Sequence, residues 1–173
     1  MKPWTNLAAI TMPPRVARLA RDARGYPIPH TVTFDENGTP DFRVIDPAKW
    51  AHAARFRCCG LCGEMLGGWL AFVGGDTSMR TRMFIDLPMH RDCAQYALAV
   101  CPFLAAPVFA YSRALPAATA LNEHVSPDRL DRFGLATTKS YRQVRLPLGD
   151  VALLAGELES VEWWRHGRPE LTP

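Results

Sequence analysis

Apolar and polar positions alternate in a few short blocks rather than along one long repeat. Thr31 to Phe34 is rich in β-forming residues, "DENG" supplies turn chemistry, and Phe42 to Ile45 is β-rich again, so a hairpin is predicted. Asp46 then stands as an N-cap with Pro47 at the first helical position, and "PAKWAHAARF" reads as a short helix with Trp50 and Ala54, together with Ala51, turned inward. "GWLAFVGG" reads as a strand ending in a Gly-Gly turn and "TRMFIDL" as a second strand, together a second hairpin. "PMHRDCAQYALAVCPFL" has helical periodicity, and Pro102 closes or kinks it. Further on, "SPDRLDRFG" has a helix start at Ser126-Pro127 and a stop at Gly134. "SYRQVRLPL" alternates like a strand. Val161 to Arg165 is read as a strand ending in a His166-Gly167 turn, within a stretch whose period fits helix or strand.

Residues 1–30 read differently. Pro13, Pro14, Pro27 and Pro29 punctuate them around "RVARLARDARG". If helical, Arg15, Arg18 and Arg21 share one face, with Val16, Leu19 and Ala23 opposite. That pattern suits either a basic arm for nucleic acid or a segment wrapped over the domain. Met12 is an alternative start. The expected organisation is an arm over 1–30 and one α+β domain over 31–173.

Composition narrows the classes. The chain has 173 residues, is 48% hydrophobic, and carries a formal net charge of +3, too small to imply nucleic acid by itself. The basic residues are 17 Arg against 3 Lys, which favours planar, bidentate contacts but also fits a compositional bias. No apolar run reaches the ~18 residues of a membrane span. "MKPWTNLAAITMPPR" lacks a signal-peptide core. The expected location is the reducing cytoplasm, with no membrane partner. There, five cysteines are read as metal ligands or buried thiols rather than disulfides.

Two pairs carry the chemistry, Cys59-x-x-Cys62 and His90-x-x-Cys93. Structural Zn²⁺ takes four Cys or His ligands in a tetrahedron. Gly60 and Gly63 suit the tight turn that puts two sulfurs on one side of an ion. Residues three apart at a helix start share a face, so His90 and Cys93 can meet the same ion. The expected cofactor is therefore structural Zn²⁺ held by Cys59, Cys62, His90 and Cys93. Cys101 lies eight residues beyond Cys93, about 12 Å along a continuous helix, and belongs to an apolar stripe instead. Cys58 points away from Cys59 in extended chain. An iron–sulfur cluster using Cys59, Cys62, Cys93 and Cys101 and a redox C-x-x-C are the rival readings. A zinc deaminase would need an upstream H-x-E that is missing. With four protein ligands available, a closed, non-catalytic site is expected.

Knuckle, hairpin, and a helix bearing the second ligand pair is the order of a treble-clef zinc finger. Residues 59–104 resemble that superfamily, and the ligand pattern is similar to the first zinc site of LIM-type domains, with a longer spacer. The fold class expected is α+β, with a treble-clef-like zinc subdomain at 56–104 and a C-terminal β-containing extension. Many treble clefs are nucleases with a hairpin histidine, and 68–87 contain none. The blocks "MPPRVARLARDARGYPIP", "PDFRVID", "CGLCGEMLG", "PMHRDCAQYALAVCPFL" and "VEWWRHGRPE" resemble a set of short uncharacterised proteins of bacteria and their prophages. That resemblance implies a phage-associated setting but no activity. Members of that set continue into a further helix, whereas this sequence ends at Pro173.

Candidate contacts to nucleic acid are Arg55, Arg57, Arg80, Arg82 and Arg91, which flank the ligand pairs and would either contact phosphate or balance the net −1 of a Cys₃His–Zn²⁺ centre. Trp163 and Trp164 are read as strand residues or base-stacking groups. The function expected is a non-enzymatic module that docks a nucleic acid or protein partner, with a divergent treble-clef nuclease as the alternative.

Overall fold

A computed structural model describes residues 5–106, 130–147 and 149–171. The first hairpin forms as its turn chemistry predicts. Strands Val32–Phe34 (β1) and Pro40–Ile45 (β2) pair antiparallel, and the Asp35 carboxylate accepts from the N–H groups of Asn37 and Thr39. Helix Pro47–Phe56 (α2) follows, with Asp46 accepting from the N–H groups of Ala48 and Lys49. It buries Ala53 and Ala54 and leaves Ala51 exposed, while Trp50 donates to the Ile85 carbonyl.

Beyond that point strand pairing departs from the local pattern. Leu70–Gly74 (β3) and Met83–Phe84 (β4) do not form the expected hairpin. A helix, Asp76–Thr81 (α3), starts directly after Gly75 and carries the chain away. Strand β3 pairs instead with Phe133–Thr138 (β5), and β4 with Val151–Ala155 (β7). Bare glycine permits the close packing here: a Cβ on Gly74 would stand 2.7 Å from Ser78, and one on Gly75 2.3 Å from Leu130.

Helix Arg91–Val100 (α4) ends at Cys101, and Pro102–Ala105 (α5) restarts at a new angle, as the proline requires. The helix expected over 126–134 is corrected where it is described: Phe133 and Gly134 open β5, while 126–129 lie outside the described residues. Strand β5 is buried along its whole length between β3 and Ser160–Arg165 (β8), so it reads as an unbroken run rather than an alternating one. Tyr141–Arg145 (β6) pairs with β7, and Arg168–Pro169 (β9) with β8 across a turn in which both His166 and Gly167 have positive φ. Among the described residues the sheets are β1-β2, β3-β5-β8-β9 and β4-β7-β6.

These pairings put the C-terminal strands inside the same two sheets as β3 and β4, the strands between the two ligand pairs. Phe72 of β3 stacks on Phe84 of β4 at 4.5 Å, and Tyr141 meets Phe72 edge-on. The N-terminal segment joins the same core. Its helix is a single turn, Pro14–Ala17 (α1), and Val16 and Tyr26 are buried in one cluster with Cys59, Leu70 and Cys93. The arginine face drawn for a longer helix is therefore not formed. Trp164 is buried, and Trp163 is covered by the Arg132 guanidinium 4.1 Å above its ring, which leaves both as strand residues.

Candidate metal centre

The first ligand pair sits in a tight turn after α2. Its chain closes on itself: Gly63 N–H donates to Cys59, Cys59 N–H to Glu64, and Leu66 N–H to Arg57. The two knuckle glycines serve different purposes. Gly63 has φ +77, as a tight turn requires, and a Cβ there would lie 2.7 Å from the His30 ring. Gly60 lacks positive φ. It is small because its N–H donates to the Pro88 carbonyl at 3.0 Å, so close that a Cβ would stand 2.8 Å from Leu87.

That contact brings the second pair to the first. Ala71 and Met89 exchange both backbone hydrogen bonds, so the outer edge of β3 pins the segment leading to His90. His90 is the N-cap of α4, and Cys93 lies in its first turn. The ligand atoms of Cys59, Cys62, His90 and Cys93 all lie within 4.8 Å of one another. His90 Nδ1 is 3.5 Å from Cys62 Sγ and 3.9 Å from Cys93 Sγ. Nitrogen and sulfur around a tetrahedral Zn²⁺ stand about 3.6 Å apart, given bonds of about 2.0–2.1 and 2.3 Å. His90 Nε2 lies 3.1 Å from the Met65 carbonyl, which can only accept. The ring proton therefore belongs on Nε2, and the Nδ1 lone pair faces the sulfurs. The group could hold a metal ion.

Its electrostatics ask for one. Cys59 and Cys93 are fully buried, while Cys62 and His90 are partly exposed. Hydrogen bonds from the Cys62 and Cys93 thiols hold the Cys59 thiol down to about 3. The Cys93 thiol is pushed the other way, by the neighbouring Cys59 and Cys62 and by burial. Three thiols this close cannot all ionise unless a cation stands among them, and a divalent ion reverses that cost.

The remaining cysteines stay out of the group. Cys58 is buried with its Sγ 3.9 Å from the Phe56 carbonyl, and Cys101 caps the far end of α4 with its thiol pushed up by burial.

Arginines do adjoin the centre, but the sequence-selected five are not gathered around it. Arg91 pairs with Glu162 at 2.9 Å beside His90. Arg57 turns toward Tyr141, Arg55 lies over Phe56, Arg80 is exposed on α3, and Arg82 caps α3 with positive φ. Beside Arg91, Arg15 also adjoins the centre, donating to Asp92 at 3.0 Å with Glu64 3.8 Å away, while Arg18 pairs with Glu64 too. Burial works against the Arg15 charge, but Asp92, Cys93, Cys62 and Glu64 outweigh it and raise its pKa. The only local hint was that Glu64 and Asp92 sit next to ligand motifs; nothing in a linear pattern links them to Arg15. Of the other histidines, His30 packs on Gly63, His52 on Phe56 and His166 makes a turn, while His124 lies outside the described residues.

No protein-family model, no curated protein and no solved structure matches the chain. Among the described residues no helix is long and apolar enough to cross a membrane.

Proposed function

We propose that the chain is a zinc-stabilised, non-enzymatic binding module that docks a nucleic acid or protein partner. The observation that carries this reading is the convergence of four protein ligand side chains, three sulfurs and one imidazole, from two separate segments. Four protein ligands complete a tetrahedral sphere and leave no open position for a reacting water, the arrangement of structural rather than catalytic zinc. Sulfur-rich tetrahedral donors favour Zn²⁺. An iron–sulfur cluster would want a fourth cysteine, and Cys101 is not in the group.

The treble-clef relationship belongs to this proposal in a reduced form. The knuckle and the helix that carries the second pair are both present, while the element between them is strand, helix, strand with outward pairings. A reducing cytoplasm, where free thiols persist, and a phage-associated setting are parts of the same reading. No specific observation favours the nuclease alternative, and plasmid nicking with Mg²⁺ or Mn²⁺ is expected to stay at background.

The test is elemental analysis of purified protein beside Cys59→Ser and His90→Ala. One zinc per chain, lost in both variants together with cooperative melting, is expected. Iron in place of zinc, or zinc that survives His90→Ala, sinks the ligand assignment.

A further inference from the structure

Outside the metal centre, cations and aromatic rings follow one another along a line of contacts. Trp69, 53% exposed, carries the Lys139 ammonium 4.8 Å from its ring centroid, and that ammonium also pairs with Glu159 at 3.5 Å, so among the described residues the free cations of the track are its arginines. The Lys139 carbonyl accepts from Arg57 Nη2 at 3.3 Å, and the Arg57 guanidinium lies 5.7 Å from the Tyr141 ring. Tyr141 then lines a groove of about 310 Å³ together with Arg82 and Arg142.

Three features of this track point outward. The arginines beside the metal, Arg15 and Arg91, are occupied by carboxylates, whereas among the described residues neither Arg82 nor Arg142 has an acidic partner. The track is also built rigidly. Tyr141 donates its hydroxyl to the Ala54 carbonyl at 2.8 Å, and Arg57 is fixed at the end of α2 by the backbone bond that closes the knuckle. Lastly, Gly67 and Gly68 precede Trp69 with ordinary φ, and a Cβ on either would meet nothing within 4 Å. The fold does not require glycine there, and its absence of side chain leaves the approach to Trp69 clear.

We infer that this track binds single-stranded nucleic acid, with Arg57, Arg82 and Arg142 contacting successive phosphates and Trp69 stacking on a base. Phosphates suit planar, bidentate guanidinium groups, and among the described residues Arg82 and Arg142 have no acidic partner to compete for them. A base suits a half-exposed indole, and every base offers a π-face, so the binding is sequence-tolerant. The inference rests on the binding-module reading and selects nucleic acid from its two partner classes.

The experiment is fluorescence anisotropy of a labelled oligothymidine and an oligouridine, each about 20 nucleotides, titrated with the zinc-loaded full chain at about 50 mM salt and upward. Both strands are expected to bind and to weaken as salt rises. Arg82→Ala/Arg142→Ala should flatten the logarithmic salt dependence by about 1.4, at about 0.7 for each phosphate contact removed. Trp69→Ala should weaken binding by about 5- to 150-fold, the range of one lost stacked base. Arg168→Ala, on β9 and off the track, should bind as the parent does.

Equal losses in Arg168→Ala and the double variant would mean diffuse charge and would overturn the inference. Duplex binding as tight as single-strand binding would overturn it too. If the protein contains zinc and melts cooperatively but binds no strand, the inference fails while the module reading stands. If zinc is absent, the module reading itself fails.

Discussion

Gly63 and Gly67 lie four positions apart and do opposite things. Gly63 holds φ +77 with the His30 ring against the place a Cβ would take. An L-residue in that conformation costs about 1–2 kcal/mol before any clash is counted. Gly63→Ala is therefore expected to lose at least that much in urea unfolding. Gly67 has ordinary φ and open space around it. Gly67→Ala should be neutral or gain about 0.4–1 kcal/mol by restricting the unfolded chain. If both substitutions cost the same, the knuckle geometry assigned to Gly63 is wrong. This scale was also the most legible one. C-x-x-C and H-x-x-C state their own geometry, because a turn and one helical step bring each pair together. Arg15 and Asp92 are 77 positions apart, and no local pattern announces that a one-turn helix will meet the start of another.

At the level of elements, legibility followed how local the deciding contact was. Helix α2 begins where Asp46 can cap it, and β1 and β2 meet across a turn that Asp35 closes with its own carboxylate. Both are settled within a few residues. Asp46→Ala should cost about 1 kcal/mol, with helix content lost only as the whole chain melts, since the removed oxygen satisfies two otherwise orphaned N–H groups. An unchanged midpoint would mean that water replaces the cap fully. The second hairpin failed for the complementary reason. Gly74-Gly75 reads as a turn, but the Cα partners of β3 are residues 134–138, and those of β4 are Leu153 and Leu154. The same non-locality hid β5, whose Gly134 reads as a helix stop but sits where a Cβ would meet Met79 at 2.9 Å.

For the whole molecule, these distant pairings make the metal segment inseparable from the sheets. The two strands between its ligand pairs, β3 and β4, each pair with strands from the C-terminal part of the chain, and Arg15 ties the N-terminal segment to Asp92. Zinc in small structural sites contributes about 10–16 kcal/mol of apparent binding energy, as large as the usual total stability of a domain, about 5–15 kcal/mol. Calorimetry of the zinc-loaded protein is thus expected to show one transition, and chelation to abolish it or lower it steeply. Acid should do the same. The Cys59 thiol is held at about 3 in the folded chain, far below the roughly 8.5 of a free thiol. A group lowered in this way favours the folded state fully above the free-thiol value and loses that advantage progressively as pH falls toward the folded one. That advantage belongs to the metal-free chain, in which the Cys62 and Cys93 thiols donate to Cys59; in the zinc-loaded chain protons compete with zinc for three thiolates and His90, and acid acts in the same direction. A metallochromic dye read alongside melting curves, from about pH 7.5 downward, should report zinc release and falling melting temperature together. Zinc that leaves well before the transition moves would mean that the sheets hold the fold without it, and that the centre serves the surface around His90 rather than the core.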